Sequence, residues 1–325
     1  HEVCDRRVLS MKDKKTQLKK VNWNDLAILL ILVVLVVILA FIRPVFLTPN
    51  NLLNIMRQVS IVAILGIGMT YVLISAEIDL SVGSLVALSG VVVAMMLKSG
   101  VPIPISILAG ILVSVGCGFL NGAIHTFAKI PSFIVTMGMM NIARGIVLVI
   151  TNSYPITGLP DSFKTFGRGY LAFIPIPVVI MAVCYIFGHS VLKYTKFGRS
   201  IFAIGGNIEA AKLSGIQVAR NKVLIHTISG LTAGIAGVVL ASRLFSGQPS
   251  AGNGLELDAI AACVIGGTST SGGKGRLWGT LLGAVIMGII TNGMNLLSIS
   301  TNWQYVMQGV IIIIAVGLDR IKSND

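Results

Sequence analysis

The chain has 325 residues, of which 54% are hydrophobic and only 11% are charged, and its formal net charge is +13. About a quarter of the residues of a soluble domain are charged, so this composition excludes a water-soluble globule. The continuous apolar run Leu26–Ile42 excludes the alternating pattern of a membrane β-barrel, and the basic excess, which no nucleic-acid-binding motif accompanies, is typical of cytoplasmic loops rather than of nucleic-acid binding.

Ten apolar segments of the chain are long enough, or nearly long enough, to cross a membrane. A membrane-spanning helix needs about 20 apolar residues, and it satisfies all its backbone hydrogen bonds internally, as hydrocarbon requires. We therefore predict an all-α polytopic membrane protein in which the second, third and eighth segments are short or broken helices that line a cavity. The ten segments lie near residues 25–42, 59–75, 82–97, 104–127, 133–151, 171–189, 223–244, 257–267, 278–296 and 303–319.

The distribution of basic residues predicts which side of the membrane each connecting segment faces. With ten spans and the N-terminus inside, eighteen of the 25 Lys and Arg fall in inside segments and six in outside segments. Lys and Arg collect in cytoplasmic loops, so both termini are predicted to be cytoplasmic. The predicted parts are a cytoplasmic tail (1–24), one transmembrane domain (25–320) with a cytoplasmic loop (193–222), and a cytoplasmic tail (321–325). Residues 1–10 precede Met11 and are expected not to be native, and no cleavable signal peptide is predicted.

Polar residues in the apolar segments are candidates for a translocation pathway. Acidic side chains within a membrane are costly and are functional candidates by default. The structural alternative is that they cap helix ends, and an N-cap role is plausible for Asp79 before the third segment. Arg144 in the fifth segment is expected to form an internal salt bridge. The candidate pathway residues are Asp79, Ser81, Glu256, Asp258, Asn292 and Asn295.

Two further patterns concern packing. Ile78–Gly90 and Leu255–Gly267 both begin with an apolar–acid–Leu triplet and end in small residues, which is consistent with the repeated halves that are common in transporters. Small residues allow helices to approach closely in a membrane. Close helix contacts are therefore predicted at Gly279, Gly283, Gly288 and Gly293.

The segment Gly267–Gly275 (GTSTSGGKG) invites comparison with a nucleotide-binding loop but departs from the P-loop pattern twice. Thr268 stands where the first Gly belongs, and Gly275 follows Lys274 in place of Ser or Thr. The four Cys and four His are scattered, so no metal site is predicted, and no nucleophile has an evident His partner. The chain is therefore predicted not to be an enzyme and to bind no cofactor, so that ATP-driven transport would require an ATPase on another chain.

The longest polar segment between the first apolar run and the C-terminus is Lys193–Lys222, which holds six of the 25 Lys and Arg. Within it, Asn207 is a good N-cap, residues 208–214 are good helix formers, and Gly215 can adopt the left-handed conformation that ends a helix. Such a short helix is marginal in water by itself. It is therefore predicted to pack against neighbouring spans or in a cleft of a soluble partner.

Three long stretches resemble the ribose-type permease family, the membrane subunits of ATP-binding-cassette importers for monosaccharides. They are Ile78–Gly90 (IDLSVGSLVALSG), Phe197–Ile216 (FGRSIFAIGGNIEAAKLSGI) and Glu256–Ala284 (ELDAIAACVIGGTSTSGGKGRLWGTLLGA). The resemblance covers most of the chain, from about Asn24 to Arg320. It implies a dimer of membrane subunits, a cytoplasmic ATPase and an extracytoplasmic sugar-binding protein.

The resemblance also implies a role for the short helix in the basic loop. Importers of this superfamily carry the signature E-A-A-x3-G on the helix that couples the ATPase to the permease. The predicted coupling-helix residues are Asn207 and the four that match the signature, Glu209, Ala210, Ala211 and Gly215. The continuation I-x-L-P of the signature is matched only at Ile225.

The resemblance predicts the permease subunit of an ATP-driven importer in the bacterial plasma membrane, which translocates ribose or a similar monosaccharide. The expected partners are a cytoplasmic ATPase subunit that binds the ATP, a sugar-binding protein, a second permease copy and membrane lipid, but no nucleic acid. One alternative is an ion-coupled secondary transporter with Glu77, Asp79 and Arg144 as the coupling groups. Another is a permease for a branched-chain amino acid or nucleoside. Glu77 stands where relatives usually have Gly, which leaves the substrate open.

Overall fold

The computed structural model of the protein describes residues 23–324. The predicted tail at residues 1–24, apart from its last two residues, and the expectation about residues 1–10 lie outside this part of the chain. The predicted C-terminal tail begins inside the last helix, which continues to Asn324.

The described residues form thirteen α-helices and one short β-hairpin. The helices are α1 (Trp23–Ile42), α2 (Pro49–Ile74), α3 (Val82–Lys98), α4 (Ile103–Phe127), α5 (Ser132–Thr151), α6 (Thr165–Arg168), α7 (Ile176–Tyr194), α8 (Lys196–Gly206), α9 (Ile208–Leu213), α10 (Val218–Leu244), α11 (Leu255–Ile265), α12 (Leu277–Leu296) and α13 (Thr301–Asn324). In the hairpin, β1 (Tyr170–Leu171) pairs antiparallel with β2 (Ile174–Pro175), and Tyr170 lies opposite Pro175. Each of the ten predicted apolar segments overlaps one helix, namely α1 to α5, α7, or α10 to α13.

The prediction that the second segment is short or broken is wrong. Helix α2 begins well before residue 59, at Pro49, and runs for 26 residues without interruption. Polar residues in its first turns lower the local hydropathy, so the predicted segment began too late. These side chains have partners in the protein: Asn51 bonds Asn292, and Arg57 bonds Tyr170. A long-range partner of this kind cannot be read from local hydropathy.

Among residues 23–324, six helices are long and apolar enough to cross a membrane: α2, α4, α5, α7, α10 and α12. Helix α3 has 17 residues and α11 only 11, so the third and eighth segments are short, as predicted. At 1.5 Å per residue, α11 is about 16 Å long, roughly half the thickness of a hydrocarbon core. The protein is thus mostly helical and has the composition of a polytopic membrane protein.

The helices divide into a central group and an outer group. In α2 and α10, 67% of the most apolar window is buried within the protein, against 22% in α4 and α7. The outer helices expose large apolar side chains, among them Leu112, Val149 and Phe187. Such surfaces are unfavourable in water and are expected where the neighbour is lipid.

Helices α4 and α10 pack backbone against backbone through glycines. A Cβ atom added at Gly118 would lie 2.4 Å from the carbonyl oxygen of His226, and one at Gly230 would lie 2.4 Å from that of Ser114. Gly122 and Gly234, one turn further along each helix, are similarly close to the opposing backbone. The two helices thus form a contact between Gly-x-x-x-Gly motifs, a recurrent way of packing helices in membranes.

Helices α11 and α12 show the close contacts that were predicted for the glycines of α12. A Cβ atom at Gly279 would lie 1.9 Å from the carbonyl oxygen of Gly266, and one at Gly283 would lie 2.0 Å from that of Ala262. Gly288 and Gly293 instead face the side chains of Val59 and Leu39. The glycines of α12 therefore serve packing.

Gly118→Val should destabilise the protein by about 1–3 kcal/mol, because an overpacked contact has a cost of this order. The matched control is Gly116→Val on the same helix, where an added Cβ would meet no atom within 4 Å. Thermal unfolding midpoints in detergent test the difference. Equal midpoints for the two variants would contradict the packing role of Gly118.

Candidate functional site

The helix predicted between Asn207 and Gly215 is present as α9. The side-chain Oδ1 of Asn207 accepts hydrogen bonds from the backbone N–H groups of Glu209 and Ala210, both at 3.0 Å. Gly215 follows the helix with φ of +78°, and its N–H donates to the carbonyl of Lys212 at 3.0 Å. The N-cap and the left-handed glycine therefore delimit the helix as the sequence predicts.

Helix α9 lies on the surface of the protein with one side packed. Ala211 is buried, whereas the side chain of Leu213 is 90% exposed. Glu209 and Lys212 form an exposed ion pair at 2.7 Å along the helix. The helix thus exposes the apolar side chain of Leu213 and the charged pair, while the buried side of the helix, at Ala211, packs against the rest of the protein.

The preceding helix, α8, ends in direct contact with two other loops. A Cβ atom at Gly205 would lie 1.7 Å from the carbonyl oxygen of Ile74 at the end of α2. The N–H of Gly273 donates to the same carbonyl at 2.8 Å. Gly272, with φ of +85°, leaves no room for a side chain beside Ala76. The three segments meet with so little space that α8 cannot shift without displacing the end of α2.

The link between α2 and α3 carries a buried carboxylate with three basic neighbours. Glu77 is 4% exposed, and its Oε1 lies 2.8 Å from His125 Nε2 and 2.7 Å from Lys222 Nζ. Its Oε2 lies 2.9 Å from His226 Nε2. Burial by itself would raise the pKa of Glu77, but the bonds from both histidines and the charges of His226 and Lys222 outweigh it and hold the pKa below its usual range.

The same link buries Asp79 completely. Its Oδ1 accepts from the N–H and the hydroxyl of Ser81 at 2.9 and 2.6 Å, and its Oδ2 accepts from the hydroxyl of Ser229 at 2.7 Å. The amide of Asn121 donates to the hydroxyl of Ser81 at 2.9 Å. Asp79 and Ser81 therefore connect the start of α3 to α4 and α10, and both are enclosed by protein in this structure.

The expectation that Asp79 is the N-cap of the third segment is wrong. Ser81 holds the N-cap position of α3, and Asp79 lies two residues earlier. Its carboxylate bonds the N–H of Ser81 and reaches α10 at Ser229, so it does not bond the N–H groups of the first helical turn. The sequence could not distinguish these cases, because Ser229 is far away in the chain.

The predicted acids of α11 are part of a second polar group. Asp258 accepts a hydrogen bond from Gln308 of α13, which also donates to the carbonyl of Gly254 at 2.9 Å. Glu256 accepts from the N–H of Gly254 at 3.3 Å. The contacts of Gln308 connect the first turn of α11 to α13.

Arg144 contacts the loop before α11. Its Nη1 donates to the carbonyls of Pro249 and Ala251 at 2.6 and 2.8 Å. The expected salt bridge of Arg144 is thus wrong for the residues that the structure describes, since its hydrogen-bond partners there are backbone carbonyls. A cation can satisfy buried carbonyl groups in this way.

The remaining predicted pathway residues lie apart from these groups. Asn292 exchanges two hydrogen bonds with Asn51, at 3.0 and 2.9 Å, and is buried. Asn295 is exposed and accepts from Gln304 at 2.9 Å. The structure thus places the six candidates in three locations, and the basic partners of Glu77 were not among the predicted site residues. His125 and His226 are distant in sequence, and only the fold brings them together.

Comparison with known proteins places these features in one family. Residues 51–316 match the sequence model of the family described as "Branched-chain amino acid transport system / permease component". The chain is 47% identical over 294 residues to the ribose import permease protein RbsC of Bacillus subtilis, with 90% of this chain and 91% of the relative covered. It is 43% identical over 299 residues to RbsC of Escherichia coli K12, with 91% and 93% covered. It is 37% identical over 369 residues to the xylose transport system permease protein XylH of Haemophilus influenzae, with 93% and 98% covered. No solved structure gives a significant match.

Glu77→Gln should destabilise the protein by on the order of 3 kcal/mol, because removing one partner leaves buried basic groups without compensation. Thermal unfolding in detergent measures the effect, and the double variant Glu77→Gln/Lys222→Gln should recover part of the loss. The control is Asp161→Asn, since Asp161 is exposed and pairs with exposed Lys164, and such pairs contribute about 0–1 kcal/mol. If Glu77→Gln matches the Asp161→Asn control, the network is not required for stability.

Proposed function

The chain belongs to the family described as "Branched-chain amino acid transport system / permease component", and on that premise we propose that it is the membrane-spanning permease subunit of an ATP-driven importer for a monosaccharide. The observation that carries the proposal is the high identity, along nine-tenths of the chain, to proteins named ribose import permease. The composition and the six long apolar helices support a multi-pass protein of the membrane, which we assign to the bacterial plasma membrane.

The proposed substrate is ribose or a similar pentose or hexose. The description of the family names branched-chain amino acids, but the relatives that match nearly the whole chain are named for ribose and xylose. A permease for an amino acid or nucleoside is therefore the less favoured reading. The bound substrate is proposed to arrive from an extracytoplasmic sugar-binding protein.

An ion-coupled transporter is also less favoured. Its coupling groups would be Glu77, Asp79 and Arg144, but each of these has fixed partners. Glu77 is held between basic groups, Asp79 is bonded by serines, and Arg144 is bonded by carbonyls. A coupling carboxylate must exchange an ion during the cycle, and this arrangement favours a structural role instead.

The proposed arrangement in the membrane has about ten transmembrane helices, some of them short, such as α11, and both termini in the cytoplasm, within one transmembrane domain at residues 25–320. The end of α8, the link after α2 and the loop before α12 lie together, as loops on one membrane face would. The loop after α10 meets a different segment, since Gly247 and Ile156 exchange backbone bonds of 2.9 Å. We assign the first group to the cytoplasmic side, where the basic loop 193–222 is predicted.

The proposed partners follow from what the chain contains. The only nucleotide-loop-like segment of the sequence fails the P-loop pattern, so ATP is assigned to a cytoplasmic ATPase subunit and no cofactor to this chain. Helix α9 is the proposed docking element, because Leu213 is 90% exposed beside the exposed Glu209–Lys212 pair. A second copy of the permease and membrane lipid, against the exposed apolar helices, complete the assembly.

Proteoliposomes that contain the permease, the ATPase subunit and the sugar-binding protein should take up labelled ribose only when ATP is present on the ATPase side. Omission of either partner should abolish uptake, because energy and substrate delivery reside in those partners. Uptake that is driven by a proton gradient without ATP would overturn the proposal and favour the ion-coupled alternative.

Gly215→Val should lower coupled uptake by roughly tenfold while ATP hydrolysis continues. Gly215 has φ of +78° with open space around it, so the cost is conformational: about 1–2 kcal/mol for an L-residue and more for a β-branched one. The matched control is Gly215→Asn, since Asn tolerates this conformation. Normal uptake by the Val variant would argue against a coupling role for this turn.

A further inference from the structure

A cavity of about 280 Å³ lies between α2, α10, α11, α12 and the start of α13. Its lining includes Gln58, in the third turn of α2, Asp258, in the first turn of α11, and Thr291, near the end of α12. Its α10 wall is the C-terminal turn of that helix, next to the loop that contains Gly247. The cavity is thus at the end of the bundle opposite to α8 and α9.

Polar side chains from five segments line the cavity, and several have no protein partner. Among the described residues, the side chains of Gln58, Asn253 and Thr291 and the hydroxyl of Tyr305 make no hydrogen bond. Asp258 uses Oδ1 for Gln308, and its Oδ2 has no hydrogen bond in the same part of the chain. Gln58 and Thr291 are half-buried, whereas Asn253 and Tyr305 are exposed at the mouth of the cavity. Polar groups that converge on one space in this way can bond a polar ligand.

The rest of the wall is mostly apolar, apart from Arg243 at the end of α10 and Ser250 in the loop that follows. Ile61 and Val62 of α2 and Met287 of α12 lie opposite the polar groups, and the ring of Tyr305 forms part of the rim. Small-molecule sites typically combine such apolar walls with a few polar groups that fix orientation. A sugar matches both surfaces, because its hydroxyls bond amides, hydroxyls and carboxylates while its C–H faces pack on apolar and aromatic groups.

Three of the helices that line the cavity also meet at a cluster of two hydroxyls and a thiol, nearer to the end of α2. Thr70 of α2 and Thr280 of α12 are 2.7 Å apart at their Oγ1 atoms, and Cys263 of α11 lies 3.4 Å from Thr70. All three are buried. For a solute to pass between these three helices at this level, the contacts of the cluster would have to break.

We infer that this cavity is a transit site that holds the sugar within the permease, with Gln58, Asp258 and Thr291 as its hydroxyl-binding residues. The inference rests on the proposed function and deepens it. Of the residues predicted as a pathway from the sequence, only Asp258 lines the cavity. The polar wall also contains Ser250 and the cation Arg243, so the sugar is favoured over an amino acid by the relatives named for ribose and xylose, and the leucine arm of the second test separates the two.

The first test is uptake in the complete reconstituted system. Thr291→Trp fills the cavity and should reduce ribose uptake by roughly tenfold or more, since a filled pocket cannot hold its ligand. Thr291→Val keeps the shape but removes the hydroxyl and should reduce uptake by about two- to tenfold. Both variants should keep ATP hydrolysis that the binding protein stimulates, because the site is remote from α9.

Two matched controls separate the site from general damage. Val183→Trp adds the same bulk at a position that is 61% exposed on α7, and Thr227→Val removes a hydroxyl that bonds its own helix at 2.7 Å. Both should retain uptake near that of the parent chain. If Thr291→Trp retains uptake as well, the cavity is not on the path of the sugar.

The second test reads binding directly. A membrane-impermeant thiol reagent should label a Thr291→Cys variant more than it labels the parent chain. Ribose should slow the labelling of the variant, whereas leucine should not. Protection by leucine alone would overturn the sugar assignment, and protection by neither would overturn the site. Absence of ATP-driven ribose uptake by the parent complex would instead refute the proposed function, while leaving the protection result readable.

Discussion

The carboxylate of Glu77 is almost completely buried, and an uncompensated charge in such a place has a cost of several kcal/mol. Compensation requires His125 of α4 and Lys222 and His226 of α10 to reach the same point. Helices α4 and α10 must therefore approach more closely than ordinary side chains permit. The Gly-x-x-x-Gly contact supplies this approach, and Gly118 packs against the carbonyl of His226 itself. The ion network around Glu77 thus depends on the close packing of α4 and α10 that their glycines allow.

The network also determines how the coupling segment is connected to the helices. The link that carries Glu77 and Asp79 starts at Ile74 and Ala76, which lie against Gly205 and Gly272. Since the other end of the link is bonded to Ser81 and Ser229, it cannot absorb a displacement by itself. A movement of α8 is therefore passed to α2 and, through the network, to α4 and α10. In the proposed importer, this is the route from the ATPase to the transmembrane helices.

Local features of the sequence predicted the parts that depend on local physics. Apolar runs located ten helices, and the pair of Asn207 and Gly215 delimited α9, because caps and left-handed turns are properties of a few adjacent residues. The rest depends on partners that are distant in the chain. Asn51, in the first turn of α2, bonds Asn292 of α12. His125 and His226 both bond Glu77, and Asp79 bonds Ser229 of α10 instead of capping α3. Gln58 and Thr291 carry no pattern in sequence, and only tertiary packing brings them to one cavity.

Helix α2 joins the two polar regions of the protein. It carries Gln58 at the cavity, Thr70 at the cluster of two hydroxyls and a thiol, and Ile74 at the contact with α8, and it has no break between them. From Gln58 to Ile74 the helix is about 24 Å long, and a continuous helix of this length moves as a rigid element. A tilt imposed at Ile74 must therefore change the contact between Thr70 and Thr280 and the wall of the cavity together. In the proposed importer, docking at the surface of α9 and release of a solute from the cavity would thereby be linked through one continuous helix.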